Sequence, residues 1–208
     1  MTNRAIPRLH LISDSRLCDL TRFVEIACLA VDAGVDAIHL REKSMSADEL
    51  LRIAIELKQC IGGRAALFIN DRVDVAQISG ADGVQLGERS LPVADVRRLP
   101  GDARLIGRSV HDVDGTVIAA RDGADFVIAG HVYATASKAG QPPRGSRFIA
   151  EIVAGCSLPV IAIGGITPER VPEVLRAGAH GVAVLSGILA AENPGEAARA
   201  YAKALRGG

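Results

Sequence analysis

Along the chain, short apolar runs alternate with longer stretches in which apolar residues recur at helical spacing. The short runs read as buried strands, the longer stretches as amphipathic helices. Eight such runs are present: Leu9–Ile12, Ala37–Leu40, Ala66–Ile69, Val84–Leu86, Leu105–Gly107, Phe126–Ala129, Val160–Ile163 and Val182–Leu185. Strand and helix in steady alternation predict βα units and a parallel sheet. An internal echo supports this, because AGVDAIHL, GADGVQL, GADFVIA and GAHGVAV carry runs two, four, six and eight. Their glycines Gly34, Gly80, Gly123 and Gly178 each suit the left-handed position that ends a helix. So even a repeat over eight strands favours a closed α/β barrel, a (β/α)8 TIM barrel, over an open doubly wound sheet.

Length and composition narrow the reading further. The 208 residues predict a single domain, 1–208, with mass enough for a sizeable core. Apolar residues make up 49% and aromatics 3%, with no Trp, so that core is aliphatic. Lys plus Arg equals Asp plus Glu at 24 each, which leaves no basic excess to attract nucleic acid or an anionic membrane. The opening MTNRAIPRLHLISD lacks the apolar core of a leader peptide, and no stretch approaches about 18 apolar residues. A cytoplasmic protein is expected. Cys18, Cys28, Cys60 and Cys156 share no metal spacing and are expected as free thiols. An apolar helix face can meet the core or a second copy, so a homodimer stays open.

In a barrel of this kind, chemistry sits at the carboxyl ends of the strands. Ser13 and Asp14 follow run one; His39 lies one step inside run two, and Arg41, Glu42 and Lys43 follow it. Run three ends in Asn70-Asp71, run four carries Gln85, and run five leads to Ser109 and His111. Run six gives His131 and a long loop to Arg147 that contains Lys138 and the stiff Pro142-Pro143 pair. Loops of that length are often lids or binding loops. Several of these residues admit a plainer reading. The REK triplet is equally a solvated helix entry with an Arg–Glu pair. Asn70-Asp71 equally caps the helix DRVDVAQI, and Asp71 holds a Mg²⁺ only with further oxygen ligands. His111 is either an acid–base group titrating near neutrality or a surface residue of the next helix.

The stretch 159–189 has its own signature. Two apolar runs stop at Gly164-Gly165 and Ser186-Gly187, and between them Thr167 suits an N-cap, Pro168 the first helical position and Gly178 the end. Neighbouring turns at strand ends direct backbone N–H groups and helix N-termini at one spot, which suits a phosphate. Glycine serving turn geometry alone is the other reading.

The segments HLREKSM, FINDRVDVA, ADGVQLG, SVH, GHVYATASKAGQPPRG, IAIGGITPE and AVLSGI resemble the thiamin phosphate synthase superfamily, and within it the thiazole tautomerase branch. The resemblance runs from Leu9 to Gly195, with VQLGERSLPV, GHVYAT and PPRG favouring the tautomerase branch. It implies a thiazole phosphate as the small-molecule partner, its phosphate at Gly164, Gly165, Leu185 and Ser186. It places the rest of the substrate among Arg41, Lys43, Asn70, Gln85, Ser109, Thr135, Ser137 and Lys138, and makes His111 the proton carrier.

Departures from the synthase pattern bear on the choice of branch. A synthase needs Mg²⁺ held by two carboxylates, Asp71 and one at position 90, where this chain has Ser90. His39 replaces the synthase glutamine before R-E-K, and the P-T-x-T loop reads Ala134-Thr135-Ala136-Ser137. The resemblance therefore implies a tautomerase with no cofactor, and Mg²⁺ at Asp71 only for the synthase alternative. A third reading is a non-catalytic thiazole or thiamin phosphate-binding regulator.

Overall fold

Eight parallel strands pair in sequence order, and the eighth closes onto the first. In this computed structural model, residues 5–99 and 104–207 are described; the first residues of the opening stretch lie outside them. The strands are β1 (Leu9–Ile12), β2 (Ala37–Leu40), β3 (Ala66–Asn70), β4 (Gly83–Leu86), β5 (Leu105–Val110), β6 (Phe126–Gly130), β7 (Val160–Ile163) and β8 (Gly181–Val184). Each apolar run of the sequence is one strand of the barrel. Two ends shift with consequence: β5 runs on to Val110, and β8 stops at Val184, which leaves Leu185 in the turn.

The helices are α1 (Leu20–Asp32), α2 (Ala47–Ile61), α3 (Val73–Ser79), α4 (Val93–Arg97), α5 (Val113–Arg121), α6 (Gly145–Gly155), α7 (Val171–Arg176), α8 (Ser186–Leu189) and α9 (Pro194–Arg206). Ser46 and Glu49 form a full capping box on α2. Gly34, Gly80, Gly123 and Gly178 all take positive φ, as their place after a helix requires. The segment after Gly165 begins less regularly than expected. Pro168–Arg170 form a 3₁₀ turn ahead of α7, and Thr167 makes no side-chain cap there.

Two apolar layers result. The larger lies between the strands and the ring of helices; the smaller fills the barrel and includes Ile12, Phe68, Leu105, Phe126, Ile128 and Ile161. Into this inner layer the first two strands send imidazoles. His10 and His39 are 0% and 1% exposed, with His10 Nδ1 2.8 Å from His39 Nε2. His39 stacks on Phe68 at 4.7 Å between centroids, and Phe68 meets Phe126 edge-on at 5.3 Å. Such a crowded interior leaves no room on adjacent strands. A Cβ at Gly83 would come within 2.4 Å of the Phe68 ring and 2.6 Å of the Leu105 carbonyl oxygen, so only glycine fits.

The free-thiol expectation fails for two cysteines. Cys28 on α1 and Cys60 on α2 are joined as a disulfide with Cα atoms 5.9 Å apart, while Cys18 and Cys156 are free. The reason is tertiary: α1 and α2 pack side by side on the barrel, which brings together cysteines 32 positions apart. No helix among the described residues is long and apolar enough to cross a membrane.

Burial drives the pKa of His10 down to about 4 and that of His39 well below its usual value, the latter also through repulsion from His10. The unfolded chain therefore binds protons more readily below about pH 6.5. Stability should be complete above that pH and fall on acidification toward pH 4, by up to about 1.4 kcal/mol per pH unit for each imidazole. Urea unfolding across this range checks it; a flat midpoint would contradict it. Gly83→Ala should cost about 1–3 kcal/mol by overpacking, and an unchanged urea midpoint would refute the crowded interior.

Candidate functional site

The carboxyl ends of the strands surround a cavity of about 740 Å³. Of the residues singled out in the sequence, Arg41, Lys43, Asn70, Gln85, Ser109, His111, Thr135, Ser137, Lys138, Gly164 and Leu185 line it. They come from seven different strand ends and meet only because the barrel closes. Gly165 and Ser186 do not line it.

The REK triplet divides its work. Glu42 accepts a hydrogen bond from the Ser13 hydroxyl at 2.6 Å, and the same hydroxyl accepts from Arg41 N–H at 2.8 Å. Glu42 is thus tied to β1, not paired with its neighbour. Among the described residues neither Arg41 nor Lys43 has a carboxylate ion-pair partner, so both cations face the cavity with their charge available. Asp14 is instead claimed by Arg16, whose guanidinium holds the carboxyl below its usual range.

Asn70 and Asp71 do not cap α3, which begins after Arg72 with no side-chain cap. Asp71 adopts a left-handed conformation, φ 63°, and turns its carboxylate toward the end of β4. There it accepts from the Asn70 amide at 2.6 Å, the Gly87 N–H at 3.2 Å and the Ser90 hydroxyl. Mg²⁺ wants several oxygen ligands, with negative charge from carboxylate or phosphate. Here hydrogen-bond donors occupy the carboxylate, and Ser90 brings no charge. Among the described residues no cluster of three His, Cys, Asp or Glu side chains could hold a metal. These residues do not fit a resident Mg²⁺.

His111 is the first residue after β5, half exposed at the cavity rim. Its Nδ1 lies 3.2 Å from the Gly130 carbonyl, which orients the ring with Nδ1–H donating. That leaves Nε2 for other chemistry, 4.0 Å from the Glu88 carboxylate. Arg144 from the long loop donates to the His111 carbonyl and so pins its backbone. The same loop forms a 3₁₀ turn, Ala136–Lys138, that carries Ser137 and Lys138 to the cavity. Buried Gln85 donates to Ser109 Oγ at 3.1 Å from the wall.

The Gly-Gly turn shows why glycine is needed. A Cβ on Gly164 would sit 2.4 Å from His131 Cβ, and one on Gly165 2.4 Å from the Ala134 carbonyl oxygen. The turn is pressed against the start of the long loop, and Tyr133 N–H donates to Gly164 O at 2.9 Å. Close packing thus requires the bare backbone at both positions. β7 and β8 are hydrogen-bonded neighbours, so the two turns adjoin as expected. Sequence reasoning missed Glu88 and Arg89, which also line the cavity. The strand-end rule would have found them directly after Gly87.

A family model described as thiamine monophosphate synthase matches residues 9–188. A putative thiamine-phosphate synthase of Geobacter sulfurreducens is 42% identical over 194 residues, covering 92% of this chain and 91% of that protein. A thiamine-phosphate synthase of Synechococcus is 41% identical over 202 residues; the alignment covers 92% of this chain but 57% of that longer protein. The solved structure of thiamine phosphate pyrophosphorylase from Pyrococcus furiosus superposes with a TM-score of 0.87 at 33% identity, covering 96% of both chains.

Ser90→Asp would place a second carboxylate against Asp71. The variant should gain a Mg²⁺-dependent rise in melting temperature that the parent protein lacks. An equal rise in both would contradict the assignment of Ser90 as the residue that disfavours metal.

Proposed function

The chain belongs to the thiamine monophosphate synthase family, and within it we propose a thiazole tautomerase. The observation that carries the reading is the Ser90 hydroxyl donating to Asp71 where the transferase needs a second carboxylate. The substrate is a carboxythiazole phosphate bearing an exocyclic double bond. A proton leaves the ring carbon that carries the carboxylate, and a proton is returned to the exocyclic carbon. The ring becomes aromatic, so the reaction is downhill and needs only a lower proton-transfer barrier.

Arg41 and Lys43 hold the carboxylate, whose charge would otherwise resist loss of the ring proton. Lys138 adds a third cation from the long loop. Backbone at Gly164 and Leu185 receives the phosphate, so the ring lies between that anchor and the cations. His111, held by its Nδ1–H on the Gly130 carbonyl, enters the step as the imidazolium and gives its Nε2 proton to the exocyclic carbon. No step calls for a metal.

A second reading is a transferase that joins a pyrimidine pyrophosphate to thiazole phosphate with Mg²⁺. The names of the relatives and the retained Arg41, Lys43, Asn70, Asp71 and Lys138 favour it.

The purified protein should convert the exocyclic isomer in the presence of a chelator. His111→Asn should lower the rate about 10²–10⁴-fold while thiazole phosphate still binds. Normal turnover by this variant would remove His111 from the mechanism. Pyrophosphate release that requires Mg²⁺ and both substrates would establish the transferase instead.

A further inference from the structure

We propose that His39, at the inner end of the cavity, is a second acid–base residue, the one that takes the proton from the ring carbon. This rests on the tautomerase reading. His10 Nε2 is 2.9 Å from the Pro7 carbonyl oxygen, which can only accept, so His10 carries its proton on Nε2. His10 Nδ1 is then a bare acceptor, and His39 Nε2, 2.8 Å away, must donate to it. His39 is left with Nδ1 unprotonated. That atom is buried, has no hydrogen-bond partner in the protein, and belongs to a residue that lines the cavity. A buried acceptor without a partner costs stability, and a functional role accounts for keeping it.

The chemistry needs two positions. The ring carbon that loses a proton and the exocyclic carbon that gains one lie on opposite sides of the ring sulfur. One imidazole held by Gly130 would have to swing between them. His39 on β2 and His111 after β5 approach from walls three strands apart. Burial and the neighbouring His10 keep His39 neutral, so its Nδ1 lone pair is free, while the same burial makes it a weak base until an anionic substrate sits beside it. The charge it then acquires is opposed by the carboxylate and phosphate of the bound substrate. It can also pass to His10 by movement of the Nε2 proton along the 2.8 Å contact, where the field of Asp36 favours it.

The step balances. The ring C–H bond breaks and its proton goes to His39 Nδ1. The released pair forms a ring C=N bond, the original C=N pair moves to a ring C=C bond, and the exocyclic pair takes a proton from His111. His111, half exposed at the rim, regains its proton from water, and His39 gives its proton to water that enters the cavity once product leaves.

The test follows the exocyclic isomer in D₂O by proton NMR, with thiazole phosphate binding measured by calorimetry. If the parent protein does not isomerise, the tautomerase reading itself fails. If it does, His39→Asn should slow loss of the ring proton at least about 10²-fold while thiazole phosphate binds within a few-fold of the parent. A normal rate overturns the proposal, and so does a loss of binding as large as the loss of rate, which marks a packing role. Should the variant not fold, ¹⁵N NMR of the parent protein decides. His39 Nδ1 is expected unprotonated in the free protein and shifted by thiazole phosphate. A protonated Nδ1, or one indifferent to the ligand, overturns it.

Discussion

Closing eight strands on themselves allots the interior a small, nearly fixed volume, and the rest of the molecule follows from how it is filled. Here two imidazoles and two phenyl rings occupy the middle of the barrel. The strand facing Phe68 must then give up a side chain, and it does so at Gly83. The plug closes the barrel below and leaves the strand ends open above. A cavity lined by polar and charged residues forms there because the bulk has already been placed beneath it.

Electrostatics sorts the rim in a similar way. The carboxylates near the cavity are mostly engaged: Glu42 by Ser13, Asp14 by Arg16, Asp71 by Asn70, Gly87 and Ser90. Among the described residues, Arg41 and Lys43 have no carboxylate ion-pair partner. In a chain with no net charge, this gathers positive charge at one end of the barrel. The lining itself holds more bases than acids, Arg16, Arg41, Lys43, Arg72, Arg89 and Lys138 against Glu42, Asp71 and Glu88, and neutral donors orient those carboxylates without removing their charge.

Much of this was legible beforehand because the barrel maps strand ends to site. Once eight runs are counted, the residues after each run must converge, and that rule placed Arg41, Lys43, Gln85, Ser109, His111 and Lys138 in one cavity. It fails where a side chain chooses among partners. Asn70 and Asp71 have the chemistry of a helix cap, yet the left-handed turn at Asp71 sends that carboxylate to Ser90 on the next loop. Cys28 and Cys60 show no spacing rule, because helix-to-helix packing alone brings them together.

The sequence by itself determined the strand count, the parallel alternation and the end of the barrel where chemistry belongs, since these follow from local periodicity and chain connectivity. Tertiary structure alone decided the state of individual groups. In the sequence His39 stands out only by its place before R-E-K, and His10 not at all. Closure turns both inward, within 2.8 Å of one another, and the Pro7 carbonyl then settles which nitrogen of each bears the proton. Proton positions depend on neighbours from distant strands, and no local pattern encodes them.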